Sequence, residues 1–460
     1  MKRLLLFLAA LPSFGATVSI STYGACTASN ASSNIAEAFA AAVPGDTVLF
    51  DCVATLGSTV SLYRKSNITV TTANSGGFRA TGIGNASNGV TGGILFDVRN
   101  CTNCLIRNLQ IDGNDLCTAV IGATNNTNST FDNLTIRNVS STCGPSSAAT
   151  AAIQASGNTR NTYSHLTLYR DTTTFPDPSV RVMRGMWLGN VNTGDWEVSP
   201  TVTANNVTYS AHSGIVVTAT GHASITNNVS NHNGCAGIKV VMDGYNSPGS
   251  TATITDNTAN LNDCHGLQIT VNYGARNLTV SNNTFNQNTQ TGIYIVNENP
   301  GGSTEVLRNS TFRNNIIHDN QSANLTGGMY FNNGAASVSL TGNSFVNTGL
   351  TSPHQIAGIV FGGAALLNGV TLSGNTFSGH TRDGVTFWNT PSQAVNVTFT
   401  NNTFTNNASY GLFGAGGSPF IGIHGSGNTF SGNGTAVSPN IDVSAGGSPP
   451  LSVIPAPLLW

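Results

Sequence analysis

Residues 280–285 read VSNNTF and residues 292–295 read GIYI, and variants of both patterns recur along much of the chain. The second pattern, a Gly followed by alternating apolar residues, returns at intervals of 23 to 36 residues. Its positions are Gly214, Gly237, Gly266, Gly292, Gly328, Gly358, Gly384 and Gly411. The first pattern returns at residues 225–229, 372–377 and 399–404. One structural unit is therefore copied many times.

The repeated unit predicts the fold class. Strands of four or five residues separated by Asn and Gly cannot each close a core of their own, so successive units must stack. Alternate residues then point into a solenoid of Ile, Val, Leu and Phe, and corner Asn side chains hydrogen-bond to the Asn one coil away. Because crossovers between parallel strands are right-handed, we expect an all-β, right-handed parallel β-helix.

A short amphipathic helix is expected before the first coils. Asn34 can cap it, Glu37 stands at its third position, and Ile35, Phe39 and Val43 fall on one face. The Pro-Gly pair that follows at residues 44–45 ends the helix. Such a helix would cover the open end of the solenoid, where apolar residues and unpaired backbone groups are otherwise exposed.

Residues 1–15 resemble a secretory signal peptide. Lys2 and Arg3 precede an apolar run at residues 4–11, which is shorter than the roughly 20 residues that span a bilayer. We therefore expect a secreted protein, extracellular or periplasmic, that is a soluble monomer with no transmembrane segment after removal of the signal.

The rest of the chain divides into three regions. We expect the cap helix and first strands at residues 16–66, the β-helix at residues 67–435, and a Gly/Pro-rich tail at residues 436–460. The β-helix is a single domain in this division.

Eight cysteines fit an oxidising compartment. Cys235 and Cys264 hold equivalent places 29 residues apart, so stacking predicts a disulfide between them. Proximity in the chain suggests the pairs Cys26–Cys52 and Cys117–Cys143. The Cys-x-x-Cys at residues 101–104 could be a redox pair or half of a zinc site, but no second such motif or His pair completes a ligand set, so we expect a structural disulfide.

The composition argues against nucleic-acid binding and against disorder. The chain has 17 Lys plus Arg against 19 Asp plus Glu, a formal net charge of −2, so no global basic field attracts a phosphate backbone. β-Branched residues recur along nearly the whole length, which is not typical of disordered chains. No Asp-x-Asp cluster or Gly-Gly-x-Gly-x-Asp array marks a calcium site, and we expect neither metal nor cofactor.

Three motifs near the beginning of the chain carry a resemblance to a known superfamily. After the helix come PGDTVLF at residues 44–50, SNITV at residues 66–70 and CLIRNLQIDGN at residues 104–114. In this order they resemble the pectate-lyase-like superfamily of right-handed parallel β-helix proteins, over roughly residues 30–435. The resemblance implies a fold that serves polysaccharide lyases, glycoside hydrolases, epimerases and non-catalytic surface proteins.

The signatures of particular enzymes in that superfamily are missing. Polygalacturonase-like hydrolases carry an Asp-Asp pair, which this chain lacks, and a Gly-His-Gly motif, whose closest fragments here are GHA at residues 221–223 and CHG at residues 264–266. The alginate-epimerase signature Tyr-Gly-x-Asp-Pro-His is also absent. Fold analogy alone therefore does not give the reaction.

The residue two after each repeated Gly points outward, by the period of two along a strand. These residues are Val216, Lys239, Gln268, Tyr294, Tyr330, Val360, Thr386 and Phe413, and Trp187 follows Gly185 in the same way one coil earlier. Aromatic rings stack on pyranose faces and amides bond hydroxyl groups, so the row predicts a sugar-binding groove. The alternative is an ordinary sheet face on which aromatic residues favour β-structure.

Lys239 is the most informative residue of this row, because no other Lys follows Lys65. Asp243 stands four residues further on, and His265 precedes the strand of the next coil. A Lys can act as the base in β-elimination from a uronate or neutralise its carboxylate, whereas the simpler alternative is a solvated side chain on a sheet face. We take Lys239, Asp243 and His265 as the candidate catalytic residues.

Hydrolysis of a neutral glycan would instead need two carboxylates flanking the scissile bond. Asp243, Asp263 and Glu298 are the available candidates, and we place Glu298 with Trp187, Gln268, Tyr294 and Tyr330 among the substrate-binding residues.

The segment at residues 169–200 concentrates charge and Trp in an otherwise weakly charged chain. Arg170, Arg181 and Arg184 could contact an acidic sugar, and surface ion pairs with Asp171 and Asp177 are the simpler alternative.

Together these features predict a protein that binds an extracellular polysaccharide and cleaves it, as a lyase or a glycoside hydrolase. The alternative is a non-catalytic adhesin or envelope protein.

Overall fold

The structure is a computed structural model that describes residues 15–441, with gaps within that range. The gaps are residues 28, 74–75, 82–93, 117–118, 140–150, 171–184, 190–193, 244–245, 272–273, 298–305, 322–326, 333, 351–353, 363–366, 389–394, 417–419 and 421. Nearly all of the expected signal peptide and most of the expected tail therefore lie outside the described residues. Among the described residues, no helix has the length and apolar character needed to cross a bilayer.

One α-helix, α1 at Ala31–Ala41, follows a short 3₁₀ turn at Ile20–Tyr23. Ile35 and Phe39 are buried against the first coils, as expected for a cap. The expected N-cap is wrong: the helix begins one turn earlier with Asn30 as its N-cap, and Asn34 is a buried residue inside it.

The expected apolar face of α1 is also one residue too long. Val43 is 59% exposed and lies beyond the helix, which ends at Ala41. A following proline disfavours helical geometry in the residue before it, so Pro44 excludes Val43 from the helix.

Each coil contributes strands to three parallel sheets, and we number strands in chain order. The first sheet has 15 strands, stacked in the order of the chain. They are β1 (Thr17–Ser19), β2 (Thr47–Phe50), β5 (Thr69–Thr72), β8 (Leu105–Arg107), β11 (Thr130–Asp132), β14 (Thr162–Ser164), β18 (Thr201–Thr203), β21 (His222–Thr226), β24 (Thr251–Thr255), β26 (Leu278–Ser281), β28 (Leu307–Arg313), β31 (Ala335–Thr341), β34 (Leu367–Ser373), β37 (Val395–Thr400) and β40 (Ile423–Ser426).

The second sheet is divided into a seven-stranded and a five-stranded part. The first part contains β3 (Val53–Leu56), β6 (Gly77–Ala80), β9 (Gln110–Leu116), β12 (Thr135–Val139), β15 (Thr167–Tyr169), β19 (Asn206–Thr208) and β22 (Val229–Asn231). The second part contains β29 (Ile316–His318), β32 (Ser344–Val346), β35 (Thr376–Ser378), β38 (Thr403–Thr405) and β41 (Thr429–Ser431).

The third sheet again has 15 strands, and it carries the repeated Gly pattern. They are β4 (Val60–Tyr63), β7 (Ile94–Arg99), β10 (Ala119–Thr124), β13 (Ile153–Ser156), β16 (Met186–Leu188), β17 (Glu197–Val198), β20 (Ile215–Thr220), β23 (Ile238–Met242), β25 (His265–Thr270), β27 (Thr291–Val296), β30 (Met329–Phe331), β33 (Ala357–Phe361), β36 (Asp383–Phe387), β39 (Tyr410–Gly414) and β42 (Thr435–Val437). The all-β, right-handed parallel β-helix with an N-terminal helix is thus confirmed.

The three sheets enclose one continuous apolar core. Equivalent residues of successive coils stack in it, as the rings of Phe345, Phe377, Phe404 and Phe430 show, with centroids 4.7 to 5.1 Å apart. All four side chains are at most 2% exposed. Because a stacked position serves every coil in the same way, the sequence repeats where the core requires the same side chain.

An Asn ladder runs along the corner between the first and second sheets. It consists of Asn205, Asn228, Asn257, Asn283, Asn315, Asn343, Asn375, Asn402 and Asn428. In each step the side-chain amide and the backbone N–H donate to Oδ1 of the next Asn, as Asn283 does to Asn315 at 2.9 and 3.1 Å. The expectation of hydrogen-bonded corner Asn residues is confirmed.

The residue before each ladder Asn adopts positive φ. Asn282 and Asn314 have φ of 56° and 51°, and Gly342 and Gly374 occupy the same place with φ of 63°. Asn tolerates this left-handed conformation better than other residues with a side chain, so the pair Asn-Asn makes the turn and the ladder together. Asp256, with φ of 56°, occupies this turn position.

The cysteine predictions have mixed outcomes. Cys26 and Cys52 form the expected disulfide, whereas Cys117 and Cys143 lie outside the described residues. The other expected disulfide is not formed: stacking brings Cys235 and Cys264 onto neighbouring coils, where their thiols hydrogen-bond to each other without a covalent bond. Cys101 and Cys104 are likewise free, and both are buried, so the structural disulfide expected for this motif is not formed.

Candidate functional site

The strand register of the third sheet places the predicted outward residues side by side. Trp187 pairs with Val216, Val216 with Lys239, Lys239 with Gln268, Gln268 with Tyr294, and Tyr294 with Tyr330. The series continues through Val360 and Thr386 to Phe413. We call these nine residues the outward row. Neighbouring strands lie about 4.8 Å apart. Val216, Gln268, Val360 and Thr386 are at most 6% exposed. A chain-like ligand laid across the coils would therefore meet the partly exposed side chains, which are Trp187, Lys239, Tyr294, Tyr330 and Phe413.

Two rings of the outward row stack at its centre, and the ring of His265, which is not a row residue, lies against Tyr294 at an angle of 31°. The ring centroids of His265 and Tyr294 are 4.3 Å apart, and the rings of Tyr294 and Tyr330 stack at 5.7 Å with an angle of 9° between their planes. Tyr330 Oη donates a hydrogen bond to Asn332 Oδ1 at 3.2 Å. Gly362 permits this position of the Tyr330 ring, because a Cβ on Gly362 would lie 2.4 Å from Cε2 of that ring.

His265 lies beside Lys239 at one end of this stack. Burial and then the positive charge of Lys239 lower the pKa of His265 to about 3. The imidazole is therefore neutral near pH 7, and its Nδ1 is buried without a hydrogen-bond partner among the described residues. A neutral imidazole of this kind is a weak base, so it is better suited to positioning than to proton abstraction.

Lys239 and Gln268 sit between the aromatic residues of the row. Lys239 is half-buried, and Gln268 is 6% exposed. At the far side of Val216, Trp187 is half-buried and its Nε1 donates to the carbonyl oxygen of Gly189 at 2.6 Å. The row therefore combines an amine, an amide and aromatic faces within six neighbouring strands.

Asp243 lies apart from Lys239 and His265. It follows the end of β23, four residues from Lys239, which corresponds to about 13 Å between Cα atoms in a strand. Its side chain is 2% exposed and accepts two hydrogen bonds from Asn246, one from the backbone N–H at 3.0 Å and one from Nδ2 at 2.9 Å. The described contacts of the Asp243 carboxylate thus stabilise the turn between Asp243 and Asn246.

A second outward position lies two residues beyond the row. Val241, Thr270 and Val296 stack there in register and are all buried, with exposed fractions of 6% or less. This part of the sheet face is buried beside the row.

A cluster that the sequence analysis did not single out lies at the other end of the row. The guanidinium of Arg382 is 5.9 Å from the Trp388 ring centroid and 5.7 Å from that of Phe413. Its partner Asp383 lies 3.6 Å away and accepts a hydrogen bond from the Thr386 hydroxyl, and burial raises the pKa of this carboxyl. The signal in the sequence is weak, because Arg382 precedes the repeated Gly instead of following it.

Five of the candidate residues fall in the gaps of the described range. Glu298, Arg181, Arg184, Asp171 and Asp177 lie outside the described residues. Arg170 is described and is 6% exposed.

Solved structures of other proteins share the architecture. The A-module of the Azotobacter vinelandii mannuronan C-5 epimerase AlgE6 is similar, with a TM-score of 0.51 and 13% identity over 92% of this chain and 99% of that one. The AlgE4 A-module of the same organism has a TM-score of 0.50 and 13% identity over 93% and 99%. Tailspike protein 3 of bacteriophage CBA120 has a TM-score of 0.55 and 16% identity over 84% and 61%. At these identities the likeness establishes the fold.

The sequence itself matches no protein of curated description. It does match a family model, that of the right-handed β-helix region, at residues 92–310 and 191–377. Together the two matches span residues 92–377, which is more than half of the chain, and the stacked parallel sheets agree with the match. The expected likeness to pectate-lyase-like proteins is confirmed at the level of the fold, and the chain belongs to the family of proteins with a right-handed β-helix region.

Proposed function

We propose that this protein binds an extracellular polysaccharide along the outward row of the third sheet and cleaves it. The observation that carries the proposal is the ring stack of His265, Tyr294 and Tyr330 beside Lys239, on the outside of the solenoid. Half-buried aromatic rings on a sheet face are available to sugar rings, and a row across strands matches the linear shape of a glycan.

The amine next to the rings favours an acidic glycan. A carboxylate of a uronate would pair with the Lys239 ammonium, while Gln268 would bond a hydroxyl and Tyr294 would stack on the ring. The solved structures that share the fold include epimerases named for mannuronan, a uronate polymer, and this agrees with an acidic substrate.

The cleavage that these residues support is β-elimination. Lys239 first gives its own proton to solvent and then, as the free amine, takes the C5 proton of a uronate; the electron pair becomes the C4–C5 double bond, the C4–O bond breaks, and the leaving oxygen takes a proton from solvent. This step needs one base and no pair of carboxylates. Asp243, whose carboxylate holds a turn, and His265, whose pKa is about 3, would then keep the loop and the rings in position.

Secretion is part of the proposal. The residues that resemble a signal peptide and the Cys26–Cys52 disulfide both fit export to an oxidising compartment.

The second candidate is a non-catalytic adhesin or envelope protein. Burial favours it: His265 and Gln268 are each 6% exposed, so neighbouring side chains already use much of their surface. A row of this kind can bind a glycan without reacting with it.

Turnover of a panel of uronate and neutral polysaccharides separates the candidates. A lyase produces unsaturated ends that absorb near 235 nm, a hydrolase produces reducing ends without that absorbance, and a binding protein produces neither. We expect absorbance on a uronate polymer. Absence of both signals on every glycan that the protein binds would favour the adhesin.

Lys239→Arg tests the role of the amine. The guanidinium keeps the positive charge but cannot act as a base, so we expect binding within about threefold of the parent and turnover lowered at least about 100-fold. Lys239→Met should weaken binding as well. Tyr63→Ala, an exposed Tyr at the far end of the same sheet, is the matched control and should change neither. Full turnover by Lys239→Arg would remove Lys239 from the mechanism.

A further inference from the structure

A basic pocket lies on the outer face of the second sheet, away from the outward row. Its volume is about 240 Å³, and side chains of five successive strands, β3, β6, β9, β12 and β15, line it. The polar lining consists of Arg79, Gln110, Asp112, Thr135, Arg137 and Tyr169. Strand pairing places Arg79 beside Asp112, Asp112 beside Arg137, and Arg137 beside Tyr169.

The carboxylate of Asp112 is held firmly in this pocket. Its side chain is 14% exposed, and Oδ1 accepts hydrogen bonds from the Asn114 backbone N–H at 2.9 Å and from Asn138 Nδ2 at 3.1 Å. Its Oδ2 lies 3.1 Å from Nη2 of Arg137. Both carboxylate oxygens of Asp112 are thus used in contacts within the protein, and Asp112 fixes the orientation of the Arg137 guanidinium.

The same turn orients the second guanidinium. Asn114 has φ of 51° in an irregular part of the β9–β12 pairing, and its Oδ1 accepts a hydrogen bond from Nη2 of Arg79 at 3.0 Å. Its Nδ2 donates to the carbonyl oxygen of Ala80. One Asn therefore links the positions of Asp112 and Arg79, and both cations are arranged before any ligand arrives.

The described lining of the pocket has an excess of positive charge. It contains two guanidiniums and one carboxylate, in a chain that has only 17 Lys and Arg and a net charge of −2. The Arg137 side chain is 40% exposed despite its ion pair, and Arg79 is exposed. A planar guanidinium binds a carboxylate or sulfate through two parallel hydrogen bonds, so this lining is suited to an anionic ligand.

The remaining lining is suited to a sugar ring. The Tyr169 ring stands at the edge next to Arg137, and the Gln110 amide and Thr135 hydroxyl offer hydrogen bonds. The pocket is smaller than the roughly 300–1,000 Å³ of sites for drug-sized ligands, which restricts it to a small ring.

We infer that this pocket binds one anionic pyranose, with its acidic group on Arg79 and Arg137 and its ring against Tyr169. The site is independent of the proposed groove, because it lies on a different sheet and involves none of the outward row.

Isothermal titration calorimetry of the full chain with glucuronate, glucose 6-sulfate and glucose tests the pocket. We expect glucuronate to bind and glucose to bind at least tenfold more weakly. The sulfate decides which acidic group is preferred: equal binding shows that charge alone selects the ligand, and weaker binding shows that the planar carboxylate does.

Arg79→Gln should weaken glucuronate binding at least tenfold, because it removes one cation without breaking the Asp112–Arg137 pair. Tyr169→Ala should weaken it as well. Arg313→Gln, at an exposed Arg on the first sheet, is the matched control and should bind like the parent. Equal affinity for glucose and glucuronate, or unchanged binding by Arg79→Gln, would overturn the assignment, and so would the absence of glucuronate binding by the parent.

Discussion

The Asn ladder and the outward row are two columns of the same solenoid with opposite sequence behaviour. The ladder repeats one residue over nine coils, from Asn205 to Asn428, and all nine side chains are at most 2% exposed. The outward row places seven residue types at its nine positions. Both columns are equally regular in register, so the difference comes from what each position must satisfy.

A buried amide between two coils must donate and accept on both sides, and only Asn of that length does so repeatedly. A residue on the outside of the third sheet does not have to hydrogen-bond to both neighbouring coils. Its type can therefore differ from coil to coil and suit a ligand. Uniform columns thus indicate structural need, and varied columns are where a function can reside.

The largest expected effect is removal of one ladder residue. In Asn315→Ala, the Asn283 backbone N–H and the Val280 carbonyl each lose a partner inside the protein. The Asn283 side-chain amide also loses one of its two acceptors and keeps the Ile254 carbonyl. At about 1–3 kcal/mol for each buried unsatisfied group, we expect a loss of about 5 kcal/mol in the free energy of unfolding, measured in urea.

Asn314→Gly is the matched control one residue earlier. Gly already occupies the equivalent place at residues 342 and 374, with the same positive φ, so the change should alter stability by less than about 0.5 kcal/mol. Equal losses from both variants would mean that the turn, and not the ladder, holds the corner.

The next largest effect on stability concerns the carboxyl group of Glu197. It follows Asn126 and Asn158 in a shorter column of hydrogen-bonded side chains. Between the third and first sheets, Asn158 donates to Oε1 of Glu197 at 2.8 Å, where an Asn would otherwise continue the column, and the Tyr163 hydroxyl donates to Oε2 at 3.3 Å. Glu197 is 1% exposed, and burial raises its pKa from 4.5 to about 7. The folded protein therefore holds this proton more tightly than the unfolded chain.

Stability should consequently fall as the pH rises from about 4.5 to about 7, and stay low above that range. At 1.36 kcal/mol for each pH unit, the difference amounts to about 3 kcal/mol. Glu197→Gln should be more stable than the parent by that amount at pH 8 and equal to it at pH 4. A Gln already serves in such a column elsewhere in the chain. At the corner between the second and third sheets, Asn262, Asn288 and Asn320 stack, and Gln355 Oε1 accepts the Asn320 backbone N–H at 3.1 Å.

Thermal unfolding at both pH values measures the effect, with Glu37→Gln on the exposed side of α1 as control. A stability gain that is the same at pH 4 and pH 8 would assign it to packing instead of ionisation.

The solenoid was predictable from the sequence because its structural columns repeat. Strands that begin like the one at Gly292, and corners like the one at Asn283, recur often enough that the sequence alone predicts which residues stack on neighbouring coils. The boundaries of α1 were not, because Asn30 and Asn34 are both suitable caps and only packing against the first coils chooses between them.

The candidate site was only partly predictable. The period of two placed Lys239, Gln268, Tyr294 and Tyr330 in one row. The position of Asp243 depends on a turn with Asn246, and no sequence pattern predicts that turn. The basic pocket was missed because Arg79, Asp112 and Arg137 are separated by steps of 33 and 25 residues and do not share a motif. Residues that differ from coil to coil form no sequence pattern, so their proximity is recognised only when the strand register between coils is known.

The smallest expected effect is on the stability of the outward row itself. Tyr294→Ala removes a half-buried ring that stacks on His265 and Tyr330, and such ring contacts contribute about 0.5–1.5 kcal/mol beyond area burial. We expect a loss of about 1 to 2 kcal/mol in urea unfolding, well below that of Asn315→Ala, because the ring closes no buried polar network. Glycan affinity should nevertheless fall at least tenfold, which Asn314→Gly should leave unchanged. If Tyr294→Ala costs as much stability as the ladder variant, the row is a structural column like the ladder, and its varied residues would need an explanation other than a ligand.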